Sequence, residues 1–183
     1  MRKVLPLFLA FLVMACQGPE PRKPVKVKSG SFIKESVERN RKLLAEEEER
    51  ILRVIENDSL KEYTSTSEGS WYAYDLKNEV SDYTPQTDDL VRYTYTLLTL
   101  DNDTIYTPEE IGLQTYKVDK QELFPGLRNS IKLMKEGETA TFLFPSSLGY
   151  GYLGDKNKIG VNVPLKAVIT IFEIERETVN ETP

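Results

Sequence analysis

The sequence contains no histidine. That absence excludes Ser-His-Asp and Cys-His catalysis and zinc sites that use imidazole. Tyrosine is frequent, with 10 in 183 residues. Its ring is apolar and its hydroxyl forms hydrogen bonds, so it suits a surface that binds and orients a ligand. The aromatic residues are therefore the main candidates for a functional site.

Two short motifs match the beginning of a dinucleotide-binding motif and of a calcium-binding loop, but the residues that follow do not fit either site. Gly149–Gly154 fits G-x-G-x-x-G after a strand, but Gly160 and Pro164 follow where a helix would have to bind pyrophosphate. Asp101–Asp103 begins like a calcium loop, but Ile105 takes the position of a third ligand. We interpret the first motif as a tyrosine-rich loop and the second as a turn.

The N-terminus has the pattern of an export signal. Arg2 and Lys3 precede an apolar run at residues 4–13, which is too short to cross a bilayer core of ~30 Å as a helix. The run ends in VMAC, which resembles a bacterial lipobox. Because Cys16 is the only cysteine, we predict a signal peptide at residues 1–15 and lipidation of Cys16. The alternative is an ordinary signal peptide followed by an accidental cysteine.

The net charge of the mature chain argues against some classes of binding partner. Loss of Arg2 and Lys3 leaves 22 basic and 29 acidic residues, a formal net charge of −7. An acidic chain without a basic patch argues against binding to nucleic acid and against electrostatic docking on anionic lipid. With Cys16 acylated, no disulfide is available, so stability has to come from the packed core of one domain.

The first part of the mature chain is expected to be a tether followed by a helix. Residues 16–30 hold prolines and charges and should be solvated. Residues 31–60 are predicted to be helical, with Ser31 as the N-cap. The acidic run Glu46–Glu49 interrupts the apolar face, which favours a surface helix that packs its ends on the domain. A dimerising or partner-binding helix is the alternative, supported weakly by heptad spacing of Val37, Leu44 and Ile51.

From Ser70 the apolar period changes to two, which predicts strands. Pro125 begins a short helix with an apolar stripe, and Gly137 is expected to end it. The last strand is apolar on both faces, which predicts a central position in the sheet, with the helix covering one side. The fold class is therefore α+β, a curved antiparallel sheet wrapped on one short helix. The strands are expected near Trp71–Tyr74, Val91–Leu97, Thr104–Tyr106, Leu113–Val118, Thr139–Phe144 and Leu165–Ile174.

The order of features from Glu122 to Ile174 resembles the C-terminal half of an FKBP-type peptidyl-prolyl cis-trans isomerase domain, and the resemblance extends over about residues 70–176. The motifs that carry it are VRYTYT at 91–96, DTIYT at 103–107, LFPGL at 123–127, PSSLGYG at 145–151 and IGVN at 159–162.

The resemblance implies a pocket for the proline ring of a polypeptide. It implies that Tyr150, Phe124, Tyr95 and Leu127 are catalytic and that Tyr106, Leu123 and Ile159 bind substrate. The Tyr150 hydroxyl or the Ile159 backbone N–H would hold a substrate carbonyl. An apolar pocket accelerates isomerisation by favouring the twisted amide, so no covalent step, metal or cofactor is expected.

Three positions depart from the family pattern. Leu127 stands where the pocket floor is often tryptophan, Thr107 replaces an acid, and Ala167 replaces an aromatic residue. We therefore predict a wider and less specific pocket. An active isomerase and a binding module without catalysis, acting as a chaperone or scaffold subunit, both remain open. A structural lipoprotein without a groove would be favoured if Tyr150 pointed into solvent.

Over its whole length the chain is similar to gliding-motility-associated lipoproteins of Bacteroidetes that carry an FKBP-type domain. This likeness implies an outer-membrane lipoprotein that faces the periplasm. Its expected partners are proline-containing polypeptides of exported proteins and components of the secretion or gliding machinery.

Overall fold

The computed structural model of the protein describes residues 29–177, with side chains from Phe32 onward. The predicted signal peptide, Cys16 and nearly all of the predicted tether lie outside these residues. The chain divides after Ser36 into two units. Of the first unit only residues 29–36 are described, and they form the first turns of a helix.

Helix α1 spans Ser29–Asn57. It begins before Ser31, so the prediction of Ser31 as the N-cap was wrong. Beyond the division at Ser36, the helix packs on the domain through its last turns, where Ile51 is fully buried against Leu100 and Leu143. Its earlier residues Val37 and Leu44 are exposed. Of the helix from Val37 onward, therefore, only the C-terminal end packs on the domain, whereas both ends were expected to pack. Within residues 29–177, no helix is both long and apolar enough to span a membrane.

One antiparallel sheet holds the seven strands of the described chain. The strands are β1 Thr64–Ser65, β2 Trp71–Leu76, β3 Leu90–Leu98, β4 Thr104–Tyr106, β5 Gln114–Lys117, β6 Thr139–Phe144 and β7 Leu165–Glu175. Their order in the sheet is β1-β2-β6-β7-β3-β4, with β5 paired to β3. Strand β7 lies between β6 and β3, as predicted from its two apolar faces.

Helix α3, Pro125–Leu133, covers one face of the sheet, and the four-residue helix α2, Pro108–Ile111, lies between β4 and β5. The apolar stripe of α3, Leu127 and Ile131, is fully buried in the main core with residues of β3, β6 and β7. The helix ends at Leu133 with Met134 as its C-cap, so the prediction that Gly137 ends it was wrong. Gly137 has φ of 78° in the turn before β6, where its N–H donates to the carbonyl of Ile171.

The two faces of β7 are buried to different degrees. Leu165, Ala167, Ile169 and Ile171 point into the core and are fully buried. The opposite face is only partly covered, and Phe172 remains 52% exposed. Helix α3 therefore covers the buried face of β7, as the sequence predicted. Part of the opposite face of β7 is exposed to solvent.

We expect Ile51→Ala to lower the free energy of unfolding by about 2–5 kcal/mol, because the substitution leaves a cavity between α1 and the sheet. Leu52→Ala is the matched control, since Leu52 is 46% exposed and its truncation should change stability by less than about 0.5 kcal/mol. Urea denaturation of the two variants measures the difference. Equal losses would contradict the packing of α1 through Ile51.

Candidate active site

The centre of the candidate site is Phe124, the residue immediately before α3. It is the N-cap, with φ of −61° and ψ of 145°. Proline at the next position disfavours helical geometry for Phe124, so the chain stays extended and turns sharply into the helix. The Phe124 ring lies 5.1 Å from the Tyr150 ring, 6.0 Å from Phe144 and 6.4 Å from Tyr95, measured between centroids. Three separate strands and loops therefore meet at one phenyl ring.

The residues predicted to form the pocket come from different elements and meet in the fold. Tyr95 lies in β3, opposite Ile169 of the central strand. Tyr106 ends β4, and Tyr150 lies between two short 3₁₀ turns, Ser146–Leu148 and Gly151–Leu153. All seven predicted pocket residues belong to or pack against the main core. Leu127 and Ile159 are buried beneath the surface; Tyr95, Tyr106, Leu123, Phe124 and Tyr150 are half-buried.

Tyr150 faces the aromatic cluster, not solvent. Burial, reinforced by the nearby Tyr95, Asp155 and Tyr106, raises the pKa of Tyr150 far above its ordinary value. Burial likewise raises the pKa of Tyr95. Both hydroxyls therefore keep their protons at neutral pH, and Tyr150 can donate a hydrogen bond to a carbonyl oxygen. This orientation disfavours the interpretation of the chain as a structural lipoprotein without a groove.

The backbone donor predicted for this site is not available. The Ile159 N–H donates to Asp155 Oδ1 at 2.8 Å, so the expectation that it holds a substrate carbonyl was wrong. The N–H of Phe124 makes no hydrogen bond within the described residues. An amide just before a helix has no partner in that helix, which makes Phe124 the better backbone donor. The Phe-Pro pair in the sequence carried this signal.

An acidic side chain at the edge of the site was missed by the sequence analysis. Asp155 Oδ2 accepts a hydrogen bond from the Tyr106 hydroxyl, and Oδ1 accepts from the N–H groups of Asn157 and Ile159, each at 2.8 Å. Burial acts to raise the pKa of Asp155, but these hydrogen bonds outweigh it and leave the pKa below its ordinary value. Asp155 therefore ties β4 to the loop that follows Tyr150. An aspartate followed by polar residues is typical of such a turn.

Thr107 departs from the family pattern for a local reason. It is the N-cap of α2, and its hydroxyl accepts from the Glu110 N–H at 3.3 Å. The Glu110 carboxylate accepts in return from the Thr107 N–H at 3.0 Å. This capping box satisfies amides at the start of the helix. The carboxylate at the edge of the site is supplied by Asp155 instead.

Phe144 is a second residue that the sequence analysis missed. Ala167 is fully buried and pairs with Phe142 of β6, whose ring stacks 5.9 Å from that of Phe144. Phe144 in turn contacts the Phe124 ring, so β6 provides aromatic area beside the positions of Ala167 and Leu127. Residues 142 and 144 share one face of the strand, which their spacing of two indicates. The wider and less specific pocket stays a prediction.

The family model described as "FKBP-type peptidyl-prolyl cis-trans isomerase" matches residues 81–175. A curated relative, the probable FKBP-type peptidyl-prolyl cis-trans isomerase FkpA of Neisseria meningitidis serogroup B, is 26% identical over 120 residues. That alignment covers 66% of this chain but only 43% of the relative, so the chain spans less than half of the relative's length.

Two solved structures have a similar fold. A peptidyl-prolyl cis-trans isomerase of Pseudomonas syringae pv. tomato has a TM-score of 0.59 at 15% identity, covering 74% of this chain and 96% of that structure. FkpA from Escherichia coli also has a TM-score of 0.59, at 18% identity, covering 94% of this chain and 80% of that structure. At these identities the likeness supports the fold.

We expect Asp155→Asn to destabilise the fold most above about pH 4 and progressively less below it. The pKa of Asp155 is lowered in the folded state, so its contribution to stability is present above the unfolded pKa of ~3.9 and is lost as pH falls through the folded value. The difference in free energy of unfolding between the wild type and the variant, measured from pH 7 to pH 2.5, tests this.

In the background of Tyr106→Phe, which removes one donor to the carboxylate, the pH dependence of that difference should shrink. A difference that stays constant across the pH range in both backgrounds would show that the Asp155 hydrogen bonds do not favour its ionised form.

Proposed function

The chain belongs to the FKBP-type peptidyl-prolyl cis-trans isomerase family, and from that premise we propose that it isomerises prolyl peptide bonds in exported polypeptides. The observation that carries the proposal is the contact of the Phe124 ring with Tyr95, Tyr150 and Phe144. Tyr95, Phe124 and Tyr150 are half-buried and Phe144 is fully buried beside them. The three half-buried rings form an apolar surface that carries two tyrosine hydroxyls, which suits a proline ring flanked by polar peptide groups.

The mechanism follows from the electronic structure of the amide. Rotation about the prolyl bond has a barrier of ~18–20 kcal/mol because it breaks amide resonance. The planar amide has more charge separation than the twisted amide, so an apolar surface binds the twisted form relatively better. Phe124 would receive the proline ring above the buried Leu127, and Tyr95 would close one side. Binding the transition state more strongly than the ground state lowers the barrier without a covalent intermediate.

Two donors are placed to orient the substrate backbone. The Tyr150 hydroxyl keeps its proton at neutral pH, and the Phe124 N–H has no acceptor within the described chain. Together they would hold carbonyl groups near the prolyl bond while the amide rotates. Asp155 would act through Tyr106 and Ile159, whose positions it fixes by hydrogen bonds.

A binding module with little catalysis is the second candidate function. Leu127 on the floor and Ala167 on the central strand offer less aromatic area than the family pattern. Such a module would hold proline-containing segments as a chaperone or a scaffold subunit without changing their rate of isomerisation. The same surface serves either function, so the rate of isomerisation separates them.

The location of the protein is a separate proposal that rests on its sequence. The apolar run at residues 4–13 followed by Cys16 supports a lipid anchor. We propose that this anchor holds the protein on the outer membrane, facing the periplasm, where newly exported polypeptides refold. The overall likeness to gliding-motility-associated lipoproteins supports a place beside the secretion or gliding machinery.

We expect Phe124→Ala and Tyr150→Ala to lower kcat/KM by at least about tenfold, because each removes an apolar wall that favours the twisted amide. Residues 17–183 would be assayed on a proline tetrapeptide and on a protein whose refolding is limited by proline isomerisation. Leu153→Ala is the control, since Leu153 lies in the same loop but is 72% exposed. Folded wild-type protein that accelerates neither reaction would contradict the isomerase and leave the binding module.

Replacement of Cys16 by serine should move the full-length protein from the membrane fraction to the soluble periplasmic fraction, because the acyl chains have no other attachment site in a chain with one cysteine. Cell fractionation with metabolic labelling by a palmitate analogue measures both location and acylation. Labelling that persists in the serine variant would overturn the assignment of the anchor.

A further inference from the structure

A small cavity lies between helix α1 and the loop that carries Tyr150, entirely within the second unit. Its volume is about 200 Å³, equal to roughly six or seven water molecules at ~30 Å³ each. That is room for one long side chain but not for a helix or a strand. Its lining includes Asn40, Leu43, Leu44, Glu47, Tyr152 and Asn162.

The unusual member of this lining is Glu47. It is 3% exposed, although glutamate is rarely buried without a partner. Its Oε2 accepts a hydrogen bond from the Ser146 N–H at 2.8 Å. Its Oε1 is buried and has no hydrogen-bond donor among residues 29–177. Within residues 29–177 no lysine or arginine forms an ion pair with it. A buried carboxylate oxygen without a hydrogen bond lowers the stability of the fold unless a cation or a hydrogen-bond donor binds to it.

The other residues of the cavity indicate which cation would fit. Within the described chain no three His, Cys, Asp or Glu residues come together as metal ligands, and a single carboxylate is a poor site for a divalent ion. Asn40 and Asn162 provide neutral amide groups, and Leu43 and Leu44 provide an apolar wall. This combination suits an ammonium or guanidinium group on an aliphatic stem, as in lysine or arginine. Tyr152 offers a ring for stacking on that group.

Two of the residues that line the cavity directly follow Tyr150 of the candidate active site in the sequence. Tyr150 packs on Phe124, while the next two residues, Gly151 and Tyr152, line the cavity. The Gly151 carbonyl accepts from the Asn162 N–H at 2.9 Å, which holds the two sides of the loop together. Tyr152 is 78% exposed and Leu44 is also exposed, so both side chains can move as a long side chain enters. The segment 150–152 therefore contributes to both the aromatic cluster at Phe124 and the cavity at Glu47.

We propose that this cavity is a subsite for a lysine or arginine side chain of the polypeptide whose proline occupies the pocket at Phe124. The inference rests on the proposed isomerase function and adds to it a preference in the substrate. Glu47 neutralises the cation, the amide groups of Asn40 and Asn162 accept its remaining hydrogen bonds, and Leu43 and Leu44 cover the stem.

The test uses a set of proline peptides that carry lysine or the uncharged norleucine at one position, scanned from three residues before the proline to three after it. For residues 17–183, one or more positions should show a ratio of kcat/KM, lysine over norleucine, of about ten or more. In Glu47→Gln, whose amide oxygen can still accept from the Ser146 N–H, that ratio should fall to near one. Glu46→Gln is the matched control, because Glu46 is exposed beside it and should retain the ratio.

Equal rates for lysine and norleucine at every position, or the same ratio in Glu47→Gln as in the wild type, would overturn the subsite. If no peptide is isomerised at all, the proposed function fails. Binding of the same peptides, labelled and measured by fluorescence anisotropy, then tests the subsite by itself with the same expected ratio. If Glu47→Gln does not fold, as judged by its thermal unfolding, the scan on the wild-type protein alone still decides whether the preference exists.

Discussion

The close approach of α3 to strand β6 at Gly126 is the contact on which the site depends. A Cβ at this position would lie 2.7 Å from the Phe144 ring and 2.8 Å from the Leu148 carbonyl oxygen, so any side chain would push the helix away from the sheet. Because residue 126 is glycine, the helix start can pack closely on β6, and the Phe124 ring contacts the Phe144 ring. Leu148, whose carbonyl oxygen lies beside Gly126, is two residues before Tyr150 in the sequence. The absence of a side chain at Gly126 therefore allows α3 and the segment before Tyr150 to approach β6 closely at the candidate site.

Hydrogen bonds to two carboxylates then fix the loop around Tyr150 from opposite sides. Asp155 secures the later part of the loop to β4 through the Tyr106 hydroxyl, and Glu47 secures its beginning through the Ser146 N–H. Hydrogen bonds to charged acceptors are stronger than neutral ones, so each is a good anchor for an irregular segment. The position of Tyr150 in the aromatic cluster therefore depends on hydrogen bonds to Asp155 and Glu47, which lie outside the cluster.

Much of the fold could be predicted from the sequence because the apolar pattern of each element is local. The bounds of β6, the start of α3 at Pro125 and the central place of β7 all follow from residues within one segment. The two residues that the analysis missed depend on distant contacts: Asp155 meets Tyr106 across 49 positions, and Phe144 is recognisable only once α3 lies on β6. The error at Ile159 has the same origin, since its N–H is taken by the same Asp155 carboxylate. Local patterns reveal elements, but competition for a hydrogen-bond donor is visible only in three dimensions.

The short strands at the edges of the sheet have a consequence for the proposed binding of unfolded polypeptides. Strand β1 has two residues and β4 has three, while β5 adds four residues beside β3. An extended polypeptide can lengthen a sheet only where a row of free backbone groups is offered to it. Strand β2 also has an edge at residues 73–76, beyond its pairing with β1. Edges of two to four residues offer too few such groups for a stable β-ladder. A client that arrives in an extended form would thus be engaged by its side chains and released, rather than recruited into an intermolecular sheet that grows toward aggregation.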